Sequence, residues 1–498
     1  MTIQMAPHSN GERMTINWWV RAGLLSLCFG FRGNAQAQCT AGDLSAQLDQ
    51  IVQDPSLHGT NMGAMVADVE TGMTIWALNP DRLLNPASTQ KLLTLLAVLD
   101  ALGPSQRITT SIHADGEIVD GVLDGDLYVQ GGADPALEYP RWRKLVEDVY
   151  VAGIHQITGN LIIDNELLPP GPIPGWSGGN ETYAGSPYEA PISALNINYN
   201  VIGLVISPGR NDGDPVIARL EIATDAVTIN NQATTQSART NLTLNRRQRG
   251  QQTELLLEGN VSNRSNSRWL YRSVANPIDY AGVTFREIYA TRGGVLDGEL
   301  RIGETPDDTE IIAATQSPPT SFLLSEMTKR SNNQMAEQLA TVAAEATYGR
   351  SNRFAVRRLL MDTLENYGID GQGAVILNAS GLSRDARLSP RQLVQTTAVL
   401  NTHPQWRHEA MASMAIYGRD GTVRNRIQTS PAVDRVRAKT GSIHGVSAIS
   451  GIAETLDNQT LAFTFMVNEL PEDISVRPIW NQMVEAIVET CPLPQPHP

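Results

Sequence analysis

Hydrophobic periodicity switches repeatedly between strand and helix along this 498-residue chain, and the switches fix its fold class. Apolar and polar residues alternate on either side of Thr71-Gly72 through AMVADVETGMTIWALNP (64–80), the pattern of a hairpin. The next stretch, NPASTQKLLTLLAVLDALG (85–103), carries Leu92, Leu93, Leu95, Leu96, Val98, Leu99 and Leu102 at helical spacing and stops at Gly103-Pro104. From about residue 109 short β-like runs take over, from DGDLYVQGG and GNLIIDNELL to TELLLEGNV, with a Pro/Gly-rich loop PPGPIPGWSGG among them. Helical spacing returns at 321–346, 353–367 and 391–401, and the end reads β, β, α through GVSAISGIAE, LAFTFMVN and VRPIWNQMVEAIVETC. The pattern predicts an α+β fold in which helices pack on an antiparallel sheet whose strands come from both ends of the chain. The middle, roughly 109 to 285, is then an insertion.

The first 37 residues read as a leader rather than fold. Met14, Arg21, the apolar run AGLLSLCFGF and the small-residue site AQAQ follow the order of a secretory signal, with Met14 the expected start and cleavage expected after Ala37. An exported, periplasmic protein is the expectation, with no transmembrane anchor in the mature chain, since no later run reaches 18 apolar residues. Cys28 leaves with the leader, and Cys39 and Cys491 remain near opposite ends as the candidate disulfide. The leader carries three Arg and one Glu, so its removal takes the net charge from −14 to −16 and argues against nucleic acid as a partner.

Chemistry is concentrated in three short motifs. Ser88 and Lys91 stand three apart at the helix start, so hydroxyl and amine share a face, a nucleophile beside a base. KRSNNQMAEQ supplies Ser331-Asn332-Asn333, and VRAKTGSIHG supplies Lys439-Thr440-Gly441-Ser442 on a predicted strand. S-x-x-K, S-x-N and K-T-G in that order mark the penicillin-recognising serine enzymes. With PASTQKLLTLLA, GDLYVQGGADPAL, GNLIIDNELL, APISALNINYN, NASGLSR, GRDGTVRNR and AKTGSIHGVSAISG, the chain resembles the D-alanyl-D-alanine carboxypeptidases/endopeptidases of the penicillin-binding protein 4 type, the class C low-molecular-mass group. The 243 residues between Ser88 and Ser331 are the room in which that family carries extra domains.

The resemblance implies a DD-peptidase/β-lactamase-like catalytic domain from 38–108 and 286–498, an inserted domain from 109–205 and 263–285, and a small nested β-rich domain from 206–262. It implies a Ser88 nucleophile activated by an uncharged Lys91, whose proton affinity burial and the nearby Lys439 would lower. Ser331 is expected to relay the proton and Asn333 to hold Lys91 and the substrate amide, while Asn332 replaces the usual Asp at a position facing away from the chemistry. Lys439, Thr440 and Ser442 would bind the terminal carboxylate, Gly441 would let the substrate backbone approach, and the N–H groups of Ser88 and Ser442 would form the oxyanion hole. Asp164 and Arg384 are expected to clasp the far end of meso-diaminopimelate, with His444 in place of a common Gln and Leu168 where an aromatic is usual. The partners implied are peptidoglycan stem peptides and, as inhibitors, β-lactams; no cofactor or metal is implied.

Three alternatives are weaker. GWSGG (175–179) matches the G-x-S-x-G of α/β-hydrolases, but Ser177 lies in a Pro/Gly loop without the strand and helix that such an elbow needs. A β-lactamase or esterase of the same superfamily would need a water-activating base that no motif places. A catalytically idle wall-binding protein would have no use for all five reactive groups. His403 and His408 are five apart, the wrong spacing for a shared helix face, and offer no metal pair. GRDGT (418–422) reads as a turn that supports the K-T-G strand.

Overall fold

The computed structural model describes residues 44–175 and 185–490. The leader with its cleavage point, the candidate Cys39–Cys491 disulfide, Trp176 and Ser177 lie outside the described residues. Among the described residues, a six-stranded antiparallel sheet runs in the order Ala415–Ile416, Val436–Ile443, Val446–Glu454, Thr460–Asn468, Asn61–Asp68 and Thr74–Leu78. Asn61–Asp68 pairs along its whole length with Thr460–Asn468, so the two ends of the chain close one sheet, as the periodicity predicts.

Both faces of this sheet are covered, which explains why its central strands are buried along nearly their whole length rather than on alternate residues. One face carries the terminal helices Leu44–Ile51 and Arg477–Glu489, with Trp480 of the second against Phe465 of the sheet. The other carries a helical layer: Lys91–Leu102, Thr320–Arg330, Asn333–Tyr348, Arg353–Asn366 and Pro390–Thr402. Lys91–Leu102 lies in the middle of that layer, and Leu92, Leu93, Leu95 and Leu96 have no exposed surface. Burial of each contributes about 2 kcal/mol, so the helix that carries the reactive pair is anchored on every side. Gly103 ends it at φ 68°, where its N–H bonds the Leu99 carbonyl.

The single helix expected over 321–346 is two helices. Ser331 takes the left-handed conformation (φ 58°, ψ 36°), and the Asn332 side chain accepts from the Met335 N–H to start the second helix. Asn caps as well as Asp does, so the Asp-to-Asn replacement keeps the break. Apolar spacing carries across such a junction and hides it.

The insertion is also larger than its sequence boundaries. Its main sheet joins Thr109–Val119, Val122–Gln130, Gln156–Ile157 and Leu161–Asp164 to three later strands, Val295–Leu296, Leu300–Ile302 and Glu310–Gln316. The boundary at 285/286 therefore cuts the helix Pro277–Thr291, and the chain re-enters the catalytic body after Gln316. The limit at 206 falls inside the strand Val201–Ser207, which pairs with Arg268–Ser273 outside the expected nested unit and with Ile217–Leu220 inside it. Strands of two or three residues are too short to give a periodicity, and the nested strands share one core with the main inserted sheet around Trp142, Leu204, Leu255 and Phe285.

Candidate active site

Pro86 leads into a 3₁₀ turn, Ala87–Gln90, that precedes the helix and lifts Ser88 into a half-buried position. Ala87 is left-handed (φ 45°), a conformation that costs an L-residue about 1–2 kcal/mol. Asn85 holds it: its Oδ1 accepts from the Ala87 N–H at 2.8 Å, and its Nδ2 donates to the carbonyls of Ser383 and Arg384, both at 2.9 Å. The Asn85 N–H in turn donates to Asn468 Oδ1 at 2.7 Å, tying the nucleophile turn to the sheet.

Lys91 is wholly buried, and its Nζ lies 2.9 Å from Ser88 Oγ, 2.7 Å from Asn333 Oδ1 and 2.7 Å from the Ser380 carbonyl. Asn333 Nδ2 donates to the Tyr188 carbonyl at 2.9 Å, which fixes the amide so that Oδ1 faces the lysine. Two of the three partners of Nζ can therefore only accept. A neutral amine has two N–H donors and one lone pair; the donors go to Asn333 and Ser380, and the lone pair is left facing the Ser88 hydroxyl. Burial lowers the Lys91 proton affinity from its ordinary value to about 7, against an opposing pull from Glu337. The Ser88 hydroxyl thus lies within hydrogen-bond distance of a buried amine whose proton affinity is brought close to neutral pH.

Glu337 is a member of the site that sequence reasoning missed. It lies one turn along the helix from Asn333, almost fully buried, and accepts from the N–H groups of Ala379 (3.0 Å) and Ser380 (2.8 Å). Its own proton affinity is raised, chiefly by burial. The segment it grips lines the nucleophile helix: the Asn378 carbonyl accepts from Gln90, the Ala379 carbonyl from Thr94 (2.6 Å), and the Ser380 carbonyl from Lys91. Gly381 (φ 73°) has no room for a Cβ, which would lie 2.0 Å from the Ala87 carbonyl. The spacing Ser331, Asn333, Glu337 puts the last two on one helix face, the one signal that could have pointed to the carboxylate.

Lys439, also wholly buried, reaches across from the strand Val436–Ile443 and donates to Ser331 Oγ at 2.8 Å and to the Thr440 carbonyl at 2.5 Å. Its proton affinity is held well below the ordinary lysine value, first by burial and then by the charge of Lys91. Burial, one of the two causes expected from the sequence, is the chief one at Lys91, and the two lysines disfavour each other's charge. The helix break at Ser331 turns its hydroxyl to Lys439, while Asn333, two residues on, serves Lys91. Thr440 Oγ1 donates to Thr422 Oγ1 at 2.8 Å, so GRDGT does support the strand, with Lys329 pairing Asp420 at 2.6 Å behind it.

A Cβ at Gly441 would lie 2.7 Å from the Pro86 carbonyl and 3.0 Å from the Ser88 nitrogen. What approaches this glycine is the nucleophile turn itself, and not only a substrate backbone. Ser442, next along, is exposed. His444 lies on the hairpin turn, 3.0 Å from the Glu472 carboxylate, and lines a cleft with Arg384. Asp164 lines a different cleft, and its carboxylate already accepts from the N–H groups of Glu166 and Thr305, both at 3.0 Å. Ser88, Lys91 and Asn333 are thus in direct contact, as are Ser331, Lys439 and Thr440, with Gly441 close against the Ser88 turn, whereas Asp164 and Arg384 are not brought to one cleft. Leu168 packs beside Leu382 and Ile443 at the base of the Arg384 side. No group of three metal-ligating side chains occurs, and no helix is long and apolar enough to cross a membrane, among the described residues.

The chain is 28% identical over 451 residues to a D-alanyl-D-alanine carboxypeptidase of an Actinomadura species, covering 86% of this chain and 81% of that one. It is 25% identical over 422 residues to the D-alanyl-D-alanine carboxypeptidase DacB of Haemophilus influenzae, covering 82% of this chain and 86% of that one. The crystal structure of penicillin binding protein 4 from H. influenzae superposes with a TM-score of 0.77 at 23% identity, over 88% of this chain and 98% of the other, so the fold is the same. The model of the D-Ala-D-Ala carboxypeptidase 3 (S13) family matches residues 44–489, and the chain belongs to that family.

Proposed function

We propose that this D-Ala-D-Ala carboxypeptidase works through a Ser88 acyl-enzyme, removing the terminal D-alanine of stem pentapeptides and also hydrolysing D-alanyl-meso-diaminopimelate cross-links. The observation that carries the reading is the environment of Lys91, whose two obligate acceptors leave only the lone pair for Ser88. As Ser88 Oγ attacks the carbonyl of the penultimate D-alanine, its proton passes to Lys91 Nζ. The N–H groups of Ser88 and Ser442 take the developing oxyanion, a contribution of about 3 kcal/mol per donor. Collapse breaks the C–N bond, and the departing amine takes the proton that Lys91 received, relayed through Ser331, which Lys439 holds. Water then attacks the ester, Lys91 accepts its proton, and collapse breaks the ester C–O bond as that proton returns to Ser88 Oγ.

Thr440 and Ser442, with Lys439, receive the substrate's terminal carboxylate. Arg384 and His444, which line one cleft, receive the far end of diaminopimelate, whereas Asp164 lines another. β-Lactams acylate Ser88 by the same attack. Action on the wall agrees with export of the chain to the periplasm.

The test is covalent labelling by a fluorescent penicillin, with and without Ser88→Ala, and mass analysis of cross-linked muropeptides after incubation. Stable label on the native chain, none on the variant, and both shortened pentapeptides and split dimers support the reading. Label on Ser88→Ala would overturn the nucleophile, release of label within seconds would make the protein a β-lactamase, and intact dimers would overturn the endopeptidase half.

A further inference from the structure

We propose that the cleft between the catalytic helices and the inserted region holds the leaving strand of a cross-linked peptide, the half that departs with the new amine. The proposal rests on the endopeptidase reading above. The cleft measures about 700 Å³ and opens on Ser331 and Asn333, so it is continuous with the catalytic groups. A single D-alanine would leave most of it empty; a volume of several hundred Å³ suits a ligand of several residues.

Direction follows from the chemistry. The acyl half stays on Ser88, whereas the leaving amine takes its proton through Ser331, and the space that Ser331 borders is this cleft. The opposite wall comes from the inserted region, where Tyr139, Tyr199 and Tyr271 line the cleft. Arg330 at the mouth and the carboxylates of Glu138 and Glu221 give it both signs of charge, which matches a strand that leaves with a free ammonium group and a carboxylate.

Two features show that the aromatic wall is built rather than incidental. Asn198, Tyr199 and Asn200 are all left-handed, with φ of 50°, 59° and 50°, a conformation that a tyrosine rarely adopts. They are held there by the Tyr139 N–H on Asn198 Oδ1 (2.8 Å), the Val274 N–H on the Asn200 carbonyl (2.7 Å) and Asn200 Nδ2 on the Pro191 carbonyl (2.9 Å). Tyr271 and Trp269 alternate on one face of the strand Arg268–Ser273, their rings nearly parallel at 6.2 Å, and are 43% and 50% exposed. They continue the stripe outward from the cleft. An exposed run of aromatics next to a catalytic serine is the surface expected to contact an extended ligand.

The experiment compares a sugar-free cross-linked tetrapeptide dimer with a pentapeptide monomer. In Tyr271→Ala, kcat/KM for the dimer should fall about tenfold, mostly through KM, while pentapeptide trimming and penicillin acylation stay within about twofold. Tyr271→Trp, which keeps a ring, should retain dimer cleavage. Binding of the dimer to Ser88→Ala, with and without Tyr271→Ala, is measured in parallel. Dimer cleavage and dimer binding that ignore Tyr271 overturn the cleft and leave the endopeptidase reading standing. An uncut dimer whose binding to Ser88→Ala depends on Tyr271 overturns the endopeptidase reading and keeps the cleft. A loss seen only when the dimer carries its glycan assigns the cleft to sugar and overturns the proposal.

Discussion

The inserted region and the catalytic body both bury charge, but by opposite rules. In the insertion, buried Asp134 pairs with Arg141 at 2.7 Å, and buried Glu254 is held between Arg247 and Arg249. In the catalytic body, Lys91 and Lys439 are completely buried, and the lysines that form ion pairs among the described residues are Lys144 and Lys329 instead. Pairing lets a charge stay charged in a poor solvent, and withholding a partner drives the group toward its neutral form. Chemistry that needs a neutral amine sits where the pairing rule is broken.

The largest effect should come from removing the unpaired base. Lys91→Ala should slow acylation of Ser88 by penicillin about a thousandfold, the usual scale of a lost general base. A loss below about tenfold would mean that the contrast between paired and unpaired charges has no bearing on catalysis. Next comes Gly441→Ala, whose Cβ would lie 2.7 Å from the Pro86 carbonyl and 3.0 Å from the Ser88 nitrogen and push the strand off the nucleophile turn. Acylation should fall at least tenfold with thermal stability nearly kept, readable by stopped-flow labelling beside a melting curve.

Glu337→Gln sharpens the comparison because Glu337 is the charged group that partly offsets the isolation of Lys91. Its carboxylate favours the ammonium form, so neutralising it lowers the Lys91 proton affinity further. The rising limb of the acylation rate should therefore move to lower pH, below the native midpoint at about 7. The plateau should drop several-fold as well, because an amide offers one oxygen to the N–H groups of Ala379 and Ser380 where the carboxylate offers two. A merely structural Glu337 would change the plateau and leave the midpoint in place. The smallest effect on catalysis belongs to the paired region: Asp134→Ala should cost about 2 kcal/mol of stability in urea unfolding yet leave acylation unaltered.

The catalytic body was legible where periodicity is long and the motif residues are fixed in order: the sheet closed from both chain ends, the Ser88 helix, and the contacts among Ser88, Lys91, Ser331, Asn333 and Lys439. Backbone irregularity was not legible. The left-handed turn at Ser331 splits a stretch whose apolar spacing runs on unbroken, and the left-handed Ala87 leaves no trace in residue type. The edges of the insertion escaped because strands such as Val295–Leu296 and Leu300–Ile302 are shorter than any alternation. Glu337 was hidden by composition: a glutamate in a helix reads as a solvated face, and only the fold shows it turned toward the Asn378–Gly381 segment. Asp164 has partners that residue type does not announce, since a carboxylate at a strand end is as useful to neighbouring backbone N–H groups as to a ligand.

The pH dependence of Ser88 acylation in the native protein tests the central claim most directly. With a neutral Lys91 as the base, the rate should climb as pH rises, pass half its maximum near 7 and level off above. A rate that is flat from about pH 5 to about pH 9, or one that climbs only as an ordinary lysine loses its proton, would contradict the account.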